Sequence, residues 1–271
     1  MTGRPHLGKP AVIGLIGACL LAALLAALLV LLYAHGRLRP PALASAQAAE
    51  PRRCAPGPNV SGAPRSIEQV VDLINSLPKP VSVACFVESL DAPLKVYASN
   101  SVASLQLSTG PQDPRWFIFS LPLIMSVTSD GPGAELLEMG VLQPDNRRTL
   151  LGELRMPIDT EIKHALPYER IGQDLGTTCG FFCHQNEAPD PSITFAKAFV
   201  SKSIRAAPDS EVTLDSLRGV LSRCTPPSAK PAATSAATSV ATSARCDLLH
   251  ALLVTGRGQR EDFPADMPVG F

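Results

Sequence analysis

The sequence predicts an N-terminal single transmembrane helix followed by an exported α+β domain, mainly an antiparallel β-sandwich or curled sheet followed by short helices. Three observations predict it. Residues 11–33 read AVIGLIGACLLAALLAALLVLLY without one charge. From Val81 to Arg170 short stretches rich in Val, Ile, Leu and Phe alternate with turn residues. After Pro189 the apolar spacing returns to a helical period.

At about 1.5 Å per residue the first segment reaches ~34 Å, enough to cross the hydrocarbon core of a bilayer. The competing reading is a cleaved signal peptide, for which Ala44-Ser45-Ala46 and Ala46-Gln47-Ala48 supply small-x-small cleavage patterns. The length of the run, and Arg37, Arg39 and two prolines between it and those alanines, favour an uncleaved anchor. Residues 1–10 then form a short cytoplasmic segment. Arg4 and Lys9 barely outweigh Arg37 and Arg39, so orientation rests on the cysteines. Cys54, Cys85, Cys179, Cys183, Cys224 and Cys246 form an even set beyond the span, as disulfides in an oxidising compartment require. The expected location is therefore a single-pass membrane protein with its C-terminal domain extracytoplasmic, periplasmic if the source is bacterial. Six cysteines allow 15 pairings. Sequence alone does not choose among them; Cys54 with Cys85 and Cys224 with Cys246 are the economical expectations.

Residues 34–64, rich in Ala, Pro and Arg, read as a stalk. A β-rich domain with one leading helix is expected over 65–171. Ser66 and Gln69 resemble a capping box, and Ile67, Val70, Val71, Ile74 and Leu77 hold helical spacing up to Pro78 and Pro80. About seven strands follow. The clearest is Leu150 to Ile158, with Leu150, Gly152, Leu154, Met156 and Ile158 on one face and Glu153, Arg155 and Asp159 on the other. Trp116 to Phe119 and Val81 to Val87 are apolar on both parities, as strands covered on both faces would be. His164 shares parity with Ile162 and Leu166 and reads as a half-buried strand residue.

A cysteine-containing loop and helices occupy 172–224. Ser192 is placed to cap a helix carrying Phe195, Ala196, Phe199 and Val200. Asp209 or Ser210 would open another with Leu214, Leu217 and Leu221. Residues 225–244 are a Pro/Ala/Ser/Thr linker expected to be mobile, and 245–271 a short helix around Leu248 to Leu253 with a tail.

One segment carries chemistry. Thr177-Thr178-Cys179-Gly180-Phe181-Phe182-Cys183-His184 places two thiols and an imidazole together. It resembles the haem attachment site of the c-type cytochromes, with one more residue between the cysteines than that family's C-x-x-C-H. The resemblance covers these few residues. It implies haem c as cofactor, thioether bonds at Cys179 and Cys183, His184 as a ligand of the haem iron, and electron transfer with a redox partner. For the sixth position His250, Met267, Met125, Met139, Met156 and His164 are the candidates, the first three of those methionines after Met267 reading better as core filler. The same residues also suit a short disulfide loop, bridges to distant cysteines, or a metal site of Cys179, Cys183, His184 and a further ligand.

Twenty-four basic residues balance 24 acidic ones, so no net field draws a nucleic acid, and none is expected as a partner. The chain has no Walker loop, dinucleotide fingerprint, G-x-S-x-G elbow or H-E-x-x-H pair, and no catalytic residue is assigned. Asp130, Glu135, Glu138, Glu153 and Asp159 read as solvated turns and strand edges. The expected role is structural or binding, toward a protein partner in the extracytoplasmic space. The electron-transfer reading is the alternative.

Overall fold

The computed structural model describes residues 53–101, 106–171, 187–224 and 236–270, together with Ala27. The first helix, α1 (Ile67–Ser76), starts where the sequence places it. The Ser66 side chain accepts the Gln69 N–H at 3.3 Å, and Gln69 Oε1 in return accepts the Arg65 N–H at 2.7 Å. Its buried face is Ile67, Val70, Val71, Leu73 and Ile74, as the apolar period required. A second short helix, α2 (Val83–Ser89), follows.

The strands β1 (Lys95–Ser99), β2 (Arg115–Ser120), β3 (Leu123–Val127), β4 (Leu136–Leu142) and β5 (Arg148–Arg155) form an antiparallel meander. After α3 (Leu166–Ile171), the strands β6 (Ala188–Pro189) and β7 (Phe199–Lys202) add to the β5 edge. Beyond α4 (Leu214–Leu221) and α5 (Ala236–His250), which runs on into a wider turn over Ala251–Thr255, β8 (Gln259–Arg260) pairs in parallel with β1. The order across the sheet is β6-β7-β5-β4-β3-β2-β1-β8.

The expected α+β class and antiparallel sheet are observed. The sheet is one open layer rather than a two-sheet sandwich, because helices cover one face and a single strap of chain covers part of the other. On the first face Val96, Ile118, Met125, Leu137 and Leu154 share a core with α1, α2, α4 and α5. On the second, Phe263 meets Tyr97, Phe117 and Phe119 edge-on, with ring centroids 5.2, 4.9 and 5.1 Å away. Met267, Ile124 and Leu142 complete this smaller cluster. The strap, 261–270, leaves β1 through the Glu261 N–H on Val96 O and reaches Arg205, whose N–H donates to Pro268 O at 2.8 Å. Trp116 to Phe119 is thus apolar on both parities for the expected reason. Gly152 belongs to the same logic: a Cβ there would lie 2.9 Å from Ile67 Cδ1, so its absence lets α1 lie close on β5.

Several local expectations are corrected. Val81 makes one bridge to Ile158, and then Ser82 accepts the Cys85 N–H at 3.2 Å and turns the chain into α2, since an unbroken apolar run suits a buried helix as well as a strand. Phe199 and Val200 lie in β7 rather than a helix, drawn into pairing by the open edge of β5. His164 stands exposed in the turn before α3, not in a strand. Of 225–244, the part from Ala236 onward belongs to α5, in keeping with the helix propensity of alanine, while 225–235 lies outside the described residues. Within 34–64, the stretch from Arg53 packs on the domain: Gly57 N–H donates to Ser76 Oγ, and Gly62 O accepts from Asp91 N–H.

The expected bridges Cys54–Cys85 and Cys224–Cys246 are both formed. The first ties the chain entering the domain to α2, and the second ties the end of α4 to α5. Residues 11–33, apart from Ala27, lie outside the described residues, among which no helix is long and apolar enough to cross a membrane.

Candidate functional site

A cleft of about 740 Å³ opens on the helical side of the sheet. Ser82, Val83 and Ala84, the first turn of α2, form one wall. Ala244, Asp247 and Leu248 of α5 form the second. The turn between β3 and β4, from Thr128 to Gly131 with Ala134 and Glu135, forms the third, and Met156 and Pro157 complete the lining.

Each wall is held by identifiable bonds. In the β3–β4 turn, Gly131 takes φ +80°, a value open to glycine, and its N–H donates to Asp130 Oδ1 at 2.8 Å. Thr109 Oγ1 donates to Asp130 Oδ2 at 3.2 Å. α2 carries Cys85 of the first bridge, and α5 carries Cys246 of the second. The residue before Cys246, Arg245, donates from Nε to Asp113 Oδ1, and the same oxygen accepts from Ser129 Oγ at 2.9 Å. The Asp113 side chain is 7% exposed and that of Arg245 23%. This half-buried pair therefore joins the loop before β2, the cleft turn and α5 at one carboxylate.

Asp130, Glu135 and Asp247 lie along the cleft, and among the described residues no lysine or arginine lines it. Glu135 also pairs with Arg155 at 3.2 Å, an exposed contact of small energy. Among the described residues the lining contains neither histidine nor cysteine. Ser82 Oγ caps α2, and Ser129 Oγ donates to Asp113. Asp130 and Glu135, distant from Asp247 in sequence, come together here, a meeting that no spacing announces. Glu138 instead takes Arg115 as an ion-pair partner on the sheet's second face, beside Ser126. Asp159 is exposed in a connection.

A second polar cluster sits where α1 meets α3. His164 Nε2 lies 2.8 Å from Asp72 Oδ1, and the Tyr168 hydroxyl donates to Glu68 Oε1. Phe195 meets the His164 ring at a tilt and the Tyr168 ring edge-on, with centroids 6.5 and 6.0 Å away. Burial pushes the Glu68 carboxyl upward, but hydrogen bonds from Tyr168 and Ser66 outweigh it and leave the group below the usual carboxylate range. Burial, reinforced by the bond to Glu68, drives the Tyr168 phenol far above its ordinary value.

Cys179, Cys183 and His184 lie outside the described residues, in the connection between α3 and β6. Of the candidate sixth ligands, Met125, Met139, Met156 and Met267 are buried in the two apolar cores, which accounts for them as packing. His164 bonds Asp72, and His250 ends α5. Among the described residues no group of His, Cys, Asp and Glu could hold a metal ion. No protein family, curated protein or solved structure matches the chain.

Proposed function

We propose that this chain is a single-pass, membrane-anchored protein that displays a disulfide-bearing α+β binding domain in an oxidising, extracytoplasmic space. The carrying observation is the pair of bridges, Cys54–Cys85 and Cys224–Cys246, each closing the domain on itself. Such bonds persist where thiols are not kept reduced. The uncharged run 11–33 supplies the anchor, and the cleft between α2, α5 and the β3–β4 turn supplies the binding surface.

Two measurements on the full chain in its native membrane test this. A C-terminal reporter that is active only outside the cytosol should be active. Cys54, Cys85, Cys224 and Cys246 should resist alkylation until a reductant is added. A reporter that works only in the cytosol, with all four thiols freely alkylated, overturns the proposal.

A second reading is favoured by the arithmetic of the bridges. They commit four of the six cysteines beyond the span, so Cys179 and Cys183 are left together, beside His184. That is the donor set a haem c would use, with thioethers at the two sulfurs and His184 on the iron, and a bound haem would provide one-electron transfer to a redox partner. A Soret band and a haem-sized mass gain on the peptide containing Cys179 and Cys183 would establish it. Loss of two hydrogens from that peptide would instead identify a third disulfide.

A further inference from the structure

We propose that the cleft takes a cationic, amphipathic peptide segment of a partner protein, an arginine or lysine flanked by small apolar residues. This rests on reading the cleft as the binding surface, and names what binds there. The apolar part is made by Val83, Ala84, Ala134, Met156 and Leu248, side chains of modest size that leave room for others to pack. Around it stand Asp130, Glu135 and Asp247, with no basic residue among the described lining residues; Arg155 pairs with Glu135 from outside the lining, which leaves Asp130 and Asp247 as the carboxylates that favour an entering cation.

The volume, about 740 Å³, falls within the range of roughly 300–1,000 Å³ typical of small-ligand sites and accommodates a few side chains rather than a whole helix. A guanidinium fits this rim because its planar fork can bond carboxylates in pairs. Anionic ligands are disfavoured by the same field. The walls are held before any ligand arrives: α2 and α5 are each bridged, and Arg245, Asp113 and Ser129 lock α5 to the β3–β4 turn. Little ordering is left to oppose binding.

The test uses the full chain in detergent micelles and a fluorescein-labelled acetyl-Ala-Val-Arg-Val-Ala-amide peptide, compared with the same peptide carrying glutamine in place of arginine. Fluorescence anisotropy should show the arginine peptide binding at least about tenfold more tightly, with that preference shrinking in high salt as screening grows. Asp130→Asn with Asp247→Asn should erase the preference. The amide oxygen of an asparagine can still accept the Gly131 N–H, so the turn is retained. Ala134→Trp, or Ala84→Trp on the opposite wall, should fill the cleft and abolish binding of both peptides.

Equal affinity for the two peptides, lost in Ala134→Trp, would overturn the cationic assignment and leave the cleft as a binding surface. Binding of neither peptide would overturn both together. Self-association of the purified chain that Ala134→Trp abolishes would make the occupant a second copy, and would also overturn the proposal.

Discussion

The Tyr168 side chain is almost wholly buried, and its hydroxyl meets the Glu68 carboxylate, so each group's titration is tied to folding. Glu68 is held below its ordinary value near 4.5, and its contribution to stability is present above that pH and lost as pH falls through the folded-state value. Tyr168 is raised above its ordinary value near 10, so its contribution is present below that pH and fades as the unfolded chain ionises first. Tyr168→Phe should therefore destabilise the domain by about 2 kcal/mol at neutral pH, the usual scale for a buried bond to a charged group. The deficit should narrow in acid and again in alkali. Urea unfolding midpoints followed across the pH range check this, and a deficit that stays constant with pH would count against the coupling. No sequence signal pairs these residues, which are 100 positions apart. The same holds for Asp113 and Arg245, which are 132 apart, whereas Ser66 and Gln69 were legible because a capping bond spans a single turn.

At the level of elements, α5 is the piece whose position depends most on a covalent tie. Its last turns bury Leu248 and Leu249, while the Cys224–Cys246 bridge and Arg245 fix the stretch that walls the cleft. Replacing both Cys224 and Cys246 with serine should cost about 2–4 kcal/mol, the typical value for a native bridge, and should weaken the Arg245–Asp113 pair. Urea unfolding reads the first effect. Proteolysis between residues 224 and 246, faster in the variant than in the parent, reads the second. Unchanged unfolding and unchanged cleavage would show that packing alone holds α5. α1, the apolar face of α4 and the alternation of strands and turns from β2 to β5 were legible from their periods and turn residues, but α4 is capped by Thr213 rather than by Asp209 or Ser210, which lie in a separate turn over Pro208–Ser210. α2 and β7 were misread for opposite reasons. The run from Val81 to Val87 is too uniformly apolar to show a period, and Phe195 to Val200 carries a helical spacing that the free edge of β5 overrides.

Across the whole molecule, one large core joins the sheet's first face to the helices, and the 261–270 strap adds a smaller one behind it. Trp116, the chain's single tryptophan, lies in the larger core at 1% exposure. Heat unfolding followed by its fluorescence and by far-ultraviolet circular dichroism should therefore give coincident transitions, as a cooperative domain requires. Two separated midpoints would mean that helices and sheet come apart independently. By itself, the order of residues determined the class of the domain and the extent of α1, and it marked Cys54–Cys85 and Cys224–Cys246 as the economical pairings among 15, because helical periods, caps and loop closures are local properties. Only the tertiary structure decided that the sheet is a single open layer with a strap across its back. It also decided that Asp130, Glu135 and Asp247 share one apolar cleft. Those outcomes depend on which distant surfaces bury each other, and burial between segments far apart in the chain leaves no periodic trace in the sequence.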